Sequence, residues 1–133
     1  MREVPNRFTE SLRQLDFPGL QAGRLLFDEP MSLHTTFRVG GPADAVYYPD
    51  TAGDIATAIR MCREAGIPVT ILGNGSNVVV ADAGIRGLVI VFGQTFSRVG
   101  IRESGGGFFE VTAEAGATLA GVAYQCAAAG LTG

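Results

Sequence analysis

A strand–helix–strand pattern between residues 45 and 72 constrains the fold of this chain more than any other feature. Three consecutive stretches make up the pattern: AVYYP (45–49), TAGDIATAIRMCREAG (51–66) and VTIL (69–72). Thr51 and Asp54 have the spacing of a capping box, which predicts where the helix starts. Gly66 suits the left-handed position after a helix, and Pro68 prevents its continuation. Two strands joined by a helix imply parallel strands and a right-handed crossover.

Further elements are predicted on both sides of this unit. Helices are expected within NRFTESLRQL (6–15) and ATLAGVAYQCAAAG (117–130), where apolar residues recur at helical spacing. In the second helix, Thr118 is the expected cap, and Leu119, Val122 and Cys126 form the apolar stripe. The expected strands are RLLF (24–27, or an extended lead-in), VVVA (78–81), LVIVF (88–92), and a hairpin of FSRVGIRE (96–103) with FFEVTAEA (108–115). Two polar stretches are interpreted as an extended arm and a turn: DEPMSLHTTFRVGGPAD (28–44) and DAGIRG (82–87).

Composition excludes several classes of function. The net charge is −3 and no basic stripe is present, so neither a nucleic-acid partner nor an anionic membrane is expected. No apolar run approaches the roughly 20 residues of a membrane helix, and the polar N-terminus lacks a signal-peptide core. The two cysteines, Cys62 and Cys126, lie in apolar helical patterns and are interpreted as buried thiols in a reducing cytoplasm.

The stretch ILGNGSNVVV (71–80) is the strongest candidate for a binding loop. One interpretation is a tight turn between strands. The other is an anion site in which successive backbone N–H groups converge, with glycine permitting close approach. Gly73 and Gly75 fit the dinucleotide fingerprint, but Val78 stands where its third glycine belongs. The Gly-Lys-Ser/Thr ending of a P-loop is also absent, so neither a Rossmann crossover nor a P-loop ATPase is expected.

Other candidate chemistry is sparse. His34 is the only histidine and is interpreted as a structural hydrogen-bonding residue. Arg38 and Arg86 have the charge to bind a phosphate, although arginines in surface turns are usually solvated. Asp82 is most simply a turn residue. No nucleophile–base pair and no metal-ligand spacing is found, so no catalytic and no metal-binding residue is predicted.

Four stretches together carry a specific resemblance: HTTFRVGGPAD (34–44), ILGNGSNVVVADAGIRGLVI (71–90), AEAGATLAGVA (113–123) and AGLTG (129–133). In order and spacing they resemble the N-terminal part of the UDP-N-acetylenolpyruvoylglucosamine reductase family. The resemblance runs from about residue 25 to the end of the sequence. It implies an α+β fold of the vanillyl-alcohol-oxidase type, in which a small parallel β subdomain with flanking helices packs on a larger, mostly antiparallel one, with FAD between them.

The resemblance also implies a site and an activity. The family stretch matching GNGSN wraps the FAD pyrophosphate. The expected cofactor-binding residues are therefore Leu72, Gly73, Asn74, Gly75, Ser76, Asn77 and Val78. The family reaction uses NADPH to reduce FAD, which then reduces the enolpyruvyl group of a UDP-sugar to give UDP-N-acetylmuramate, a peptidoglycan precursor.

The resemblance further implies a domain division and leaves alternatives open. Residues 1–24 are expected to form a helix and lead-in, and residues 25–133 an FAD-binding domain truncated at its C-terminal end. The family's catalytic arginine, serine and glutamate come later in its sequence, so this chain alone is expected to be inactive. The alternatives are a stand-alone flavin-binding module and another FAD-dependent oxidase of the same fold.

Overall fold

The computed structural model describes residues 7–20, 24–76 and 78–133. Within these ranges, helices and strands follow the order α1 (Arg7–Arg13), β1 (Leu25–Pro30), β2 (Pro42–Tyr47), α2 (Ala52–Glu64), β3 (Val69–Leu72), β4 (Ile85–Val91), β5 (Val99–Gly105), β6 (Phe108–Ala113) and α3 (Leu119–Ala128). Both segments 6–15 and 117–130 therefore contain the predicted helices. The predicted strand at 69–72 and the predicted hairpin are confirmed.

The strands form one mixed sheet and one separate hairpin. The four-stranded sheet has the order β1-β2-β4-β3, and β4 is parallel to both β2 and β3. The predicted parallel relation of β2 and β3 is confirmed, with β4 inserted between them. Strand β1 pairs antiparallel with β2, so the sheet is mixed and not purely parallel. Strands β5 and β6 form an antiparallel pair, and the α+β prediction is confirmed.

Local signals explain where α2 starts and ends. The Asp54 N–H donates to Thr51 Oγ1 at 3.1 Å, and the Thr51 N–H donates to Asp54 Oδ2 at 3.2 Å. This reciprocal pair is the predicted capping box and satisfies two N–H groups that a helix start leaves free. Gly66 adopts φ +69° directly after the helix, as its position in the sequence predicts.

The mixed sheet buries different residues on its two faces. Helices α1 and α2 cover one face, where Leu12 and Cys62 pack with Tyr47 and Ile90. The opposite face carries a second cluster: Met31, Ala43, Val46, Leu72, Val80, Val89 and Val91. Side chains alternate along β2, so Tyr47 is fully buried under the helices and Tyr48 belongs to the second face. The second face lies beside the arm and the glycine-rich loop.

Two strand boundaries differ from the prediction. VVVA (78–81) is not a strand, although Val79 is exposed and Val80 is buried as in an alternating pattern. Both edges of β4 are already paired with β2 and β3. In the described chain, residues 78–81 form one backbone hydrogen bond to the arm, from the Gly41 N–H to the Ala81 carbonyl at 3.0 Å. Strand β4 begins at Ile85 and not at residue 88. Gly87, which was predicted to end a turn, lies inside β4 with φ +88°, where the pairing of β4 with β2 is irregular.

The arm and the cysteines also differ in part from the prediction. Residues 28–30 and 42–44, assigned to the arm, belong to β1 and β2. Both cysteines are free thiols, as predicted, but only Cys62 is buried, while Cys126 is partly exposed. The expected apolar stripe of α3 is also poorly covered, since Leu119 is 86% exposed. Helix α3 and the β5–β6 hairpin contain no buried residue.

Candidate cofactor site

The candidate loop begins where β3 ends at Leu72, which is buried in the second face. The Gly73 carbonyl accepts a hydrogen bond from the Gly93 N–H at 2.9 Å, which ties the loop to the chain after β4. Asn74 Oδ1 accepts from the Ser76 N–H at 3.1 Å, and Gly75 has φ +72°. This is a tight turn closed by an asparagine side chain. Val78 is partly buried, and Asn77 lies outside the described residues.

Gly75 is buried against the arm. Its carbonyl accepts from the Thr36 N–H at 3.1 Å. A Cβ added at Gly75 would overlap the carbonyl oxygen of His34, and the positive φ adds a second reason for glycine. Gly73 is similarly close to the segment before α3, because an added Cβ would lie 2.6 Å from the Ala115 carbonyl oxygen. The two glycines therefore let three segments of backbone meet at the loop.

The loop leaves two of its backbone donors available. In the described part of the chain, the Asn74 and Gly75 N–H groups have no hydrogen-bond acceptor. The carbonyls of Gly73 and Gly75 are both used by neighbouring segments. The tight-turn interpretation is thus confirmed, and the free donors are what the anion-site interpretation requires. Anion binding itself stays a prediction.

Two clefts meet at this loop. Asn74 and Gly93 line both of them. The first cleft, of about 700 Å³, runs along the arm past His34 and Arg38. The second, of about 410 Å³, runs toward the start of α3 and is lined there by Gly116, Thr118, Gly121 and Val122. Each cleft has a volume in the range that small-molecule ligands occupy, and the candidate loop lies where they meet; the two clefts together are called the groove.

The two candidate arginines, Arg86 and Arg38, have different surroundings in the structure. Arg86 Nη1 lies 3.1 Å from Asp44 Oδ1, and Arg86 Nη2 donates to the Pro42 carbonyl at 3.0 Å. Arg86 is therefore a structural residue: its side chain is 45% exposed, but its guanidinium is held by Asp44 and the Pro42 carbonyl. Arg38 lines the first cleft, is exposed, and forms no ion pair with a described residue. Its φ of +54° is unusual for a residue with a side chain.

His34 is hydrogen-bonded on both ring nitrogens, which confirms its interpretation as a structural hydrogen-bonding residue. Nε2 lies 2.9 Å from Glu29 Oε1, and Nδ1 lies 2.7 Å from the Tyr48 hydroxyl. Burial, and then the negative charge of Glu29, raises the pKa of Tyr48. The sequence shows that one of the two tyrosines points inward, but not that Glu29 and Tyr48 meet at His34. No three His, Cys, Asp or Glu side chains gather into a metal-binding group among the described residues.

Comparison with known proteins identifies the family. Residues 43–133, more than half of the chain, match the family described as FAD binding domain. The chain belongs to this family. The predicted cofactor, FAD, is therefore confirmed. The residues that contact it stay a prediction. The match includes the candidate loop, the end of the groove near α3 and the hairpin, whereas His34 and Arg38 of the arm precede it.

The curated relatives share one name. The chain is 46% identical over 111 residues to a UDP-N-acetylenolpyruvoylglucosamine reductase of Heliobacterium modesticaldum, covering 84% of the chain and 34% of the relative. It is 46% identical over 132 residues to a protein of the same name from Agathobacter rectalis, covering 94% and 39%. The resemblance stated from the sequence is confirmed. The chain spans little more than a third of the length of these relatives. None of the helices in the described part of the chain is long and apolar enough to span a bilayer.

Proposed function

We propose that this chain is the FAD-binding portion of a cytoplasmic reductase that uses NADPH to reduce UDP-N-acetylglucosamine enolpyruvate to UDP-N-acetylmuramate. The match of residues 43–133 to the FAD binding domain carries the cofactor part of this proposal. The names of the relatives support the reaction part, because they name an enolpyruvoylglucosamine reductase. Bound FAD would supply the redox chemistry, accepting hydride from NADPH and delivering it to the enolpyruvyl double bond.

Within this chain, we propose that residues 25–133 form the FAD-binding domain, with the FAD pyrophosphate held by Leu72, Gly73, Asn74, Gly75, Ser76, Asn77 and Val78. The free N–H groups of Asn74 and Gly75 support this placement, because oriented backbone donors stabilise phosphate oxygens. The described residues of the loop carry no charge. Arg38, which lines the same groove, is placed to supply the positive charge that a pyrophosphate favours.

Titration of the full natural chain with FAD tests the cofactor contacts. Arg38→Ala is expected to weaken FAD binding about tenfold, which corresponds to about 1.4 kcal/mol. Arg60→Ala is the matched control, since Arg60 is an exposed arginine of α2 outside the groove. Riboflavin, which lacks the pyrophosphate, should bind both variants equally. Equal FAD affinity in the two variants would remove Arg38 from the site.

The reaction is tested separately. The full natural chain should show flavin absorption bands and should oxidise NADPH over many turnovers only when the UDP-sugar enolpyruvate is supplied, because without it each flavin accepts a single hydride. A protein that holds flavin without this turnover would contradict the assigned reaction and leave FAD binding intact.

A stand-alone flavin module is the second candidate. It is favoured by one observation, namely that the family match names a cofactor and no reaction. Stoichiometric FAD binding by the 133-residue chain alone would support it. The covalent-flavin alternative is less well supported, because both His34 nitrogens are occupied, Cys62 is buried, and Cys126 is not among the residues that line the two clefts.

A further inference from the structure

The contact between Glu29, His34 and Tyr48 joins the mixed sheet to the arm that packs against the candidate loop. Glu29 belongs to β1, Tyr48 follows β2, and His34 lies in the arm between those strands. The side chains of Glu29 and His34 are only 20% and 13% exposed. The two hydrogen bonds to His34 therefore fix the arm to the sheet from two directions.

Hydrogen-bond chemistry selects one arrangement of neutral His34. An ionised Glu29 carboxylate only accepts hydrogen bonds, so Nε2 must carry the proton. Nδ1 is then an acceptor, and the Tyr48 hydroxyl, which lies 2.7 Å from Nδ1 and 3.4 Å from Nε2, donates to Nδ1. With this tautomer each of the three side chains has a hydrogen-bond partner.

The backbone of the same residue shapes the loop. The His34 carbonyl lies where a Cβ of Gly75 would be, and the Thr36 N–H, two residues later, donates to the Gly75 carbonyl. Thr35 is buried, and its hydroxyl donates to the Val39 carbonyl at 3.1 Å, which stiffens the arm locally. Any displacement of His34 is thus transmitted directly to Gly75.

We propose that Glu29, His34 and Tyr48 are positioning residues for the FAD pyrophosphate, acting through the His34–Gly75 backbone contact. This proposal rests on the proposed function, because it assumes that the loop binds FAD. The three side chains hold the arm, the arm holds Gly75, and Gly75 sets the direction of the Asn74 and Gly75 N–H groups. No side chain of the three needs to touch the cofactor.

Two tyrosine variants provide the central test. Tyr48→Phe removes the hydroxyl bonded to His34. Tyr47→Phe is the matched control, because its hydroxyl donates to the Pro18 carbonyl at the same 2.7 Å, on the helix-covered face of the sheet. The two variants should lose similar stability to urea. Only Tyr48→Phe should raise the Kd for FAD, by about fivefold. A Kd that rises equally in both variants, or in neither, would overturn the proposal.

Variants of Glu29 give a conservative rescue. Glu29→Leu leaves the His34 Nε2–H without an acceptor and should raise the Kd for FAD by a similar factor. Glu29→Gln keeps an acceptor oxygen of the same reach and should retain most of the affinity. Equal affinities of the two Glu29 variants would contradict a role for this hydrogen bond.

A measurement without cofactor separates this proposal from the proposed function. Hydrogen exchange of the peptide spanning residues 69–80 should be faster in Tyr48→Phe than in Tyr47→Phe when FAD is absent. Failure of the unchanged protein to bind FAD would refute the proposed function. Unchanged exchange of the loop would refute the positioning role whatever the protein binds.

Discussion

The contact of Gly75 with His34 allows a sharp test of why the loop contains glycine. Gly75→Ala adds one methyl group at a residue with φ +72°, where the carbonyl of His34 already occupies the space. The left-handed backbone costs an alanine about 1–2 kcal/mol. Overpacking against backbone adds about 1–3 kcal/mol, because neither neighbour is the end of a flexible side chain. Gly75→Ala should therefore destabilise the protein by about 2–5 kcal/mol.

Gly66 provides the control within the same molecule. It has φ +69°, nearly the same as Gly75, but no atom lies within 4 Å of the position of an added Cβ. Gly66→Ala should therefore cost only the backbone part, about 1–2 kcal/mol. Urea unfolding followed by circular dichroism measures both, and flavin absorbance after gel filtration measures FAD retention. Equal losses of stability in the two variants would refute the steric argument. Full FAD retention in Gly75→Ala would refute the proposed place of the loop in the site.

Four further predictions concern the rest of the structure. Asp44→Ala should lower the unfolding free energy by about 2–4 kcal/mol in urea titrations, because the buried carboxylate joins the Gly87 N–H to Arg86; a neutral effect would contradict this. Arg86→Ala should cost less than Asp44→Ala, since the Arg86 side chain is 45% exposed and Asp44 keeps its backbone donor. Thr51→Ala should cost about 1 kcal/mol through loss of the α2 cap, checked by helical ellipticity and urea midpoint. Burial raises the pKa of Cys62 from 9.0 to about 11, so this thiol loses its proton at a lower pH in the unfolded chain than in the folded one. The unfolding free energy should therefore fall as the pH rises from 9 to about 11, and it should fall less steeply in Cys62→Ala.

The elements that the sequence predicted correctly are those with local signals. The capping residues and terminal glycine of α2 lie within a few positions of the helix, and Gly105, Gly106 and Gly107 mark the hairpin turn. The apolar run at 78–81 misled the strand prediction, because strand formation depends on pairing with another strand, which no local pattern records. The β4 boundary was missed for a different reason, since a strand irregularity and a turn both use glycine at positive φ.

The candidate site shows the same limit. The glycine-rich loop was found from its composition and resemblance, but its contacts join residues some 40 positions apart. The meeting of Gly75 with His34 involves two backbones and leaves no side-chain pattern in the sequence. Likewise, the sequence contains many oppositely charged residues, and nothing in it pairs Arg86 with Asp44. Only the fold brings these two side chains to 3.1 Å.

The uneven burial of the chain has a consequence for how it unfolds. The mixed sheet with α1 and α2 contains both clusters of buried side chains, whereas the β5–β6 hairpin and α3 contribute none. The two parts should therefore behave as separate cooperative units, and the hairpin–α3 unit should open at a lower free energy. The groove is lined by both units, with Asn74 and Gly93 from one and Thr118 and Val122 from the other. A ligand that needs both walls must stabilise the weaker unit by mass action, so cofactor binding should merge the two transitions into one.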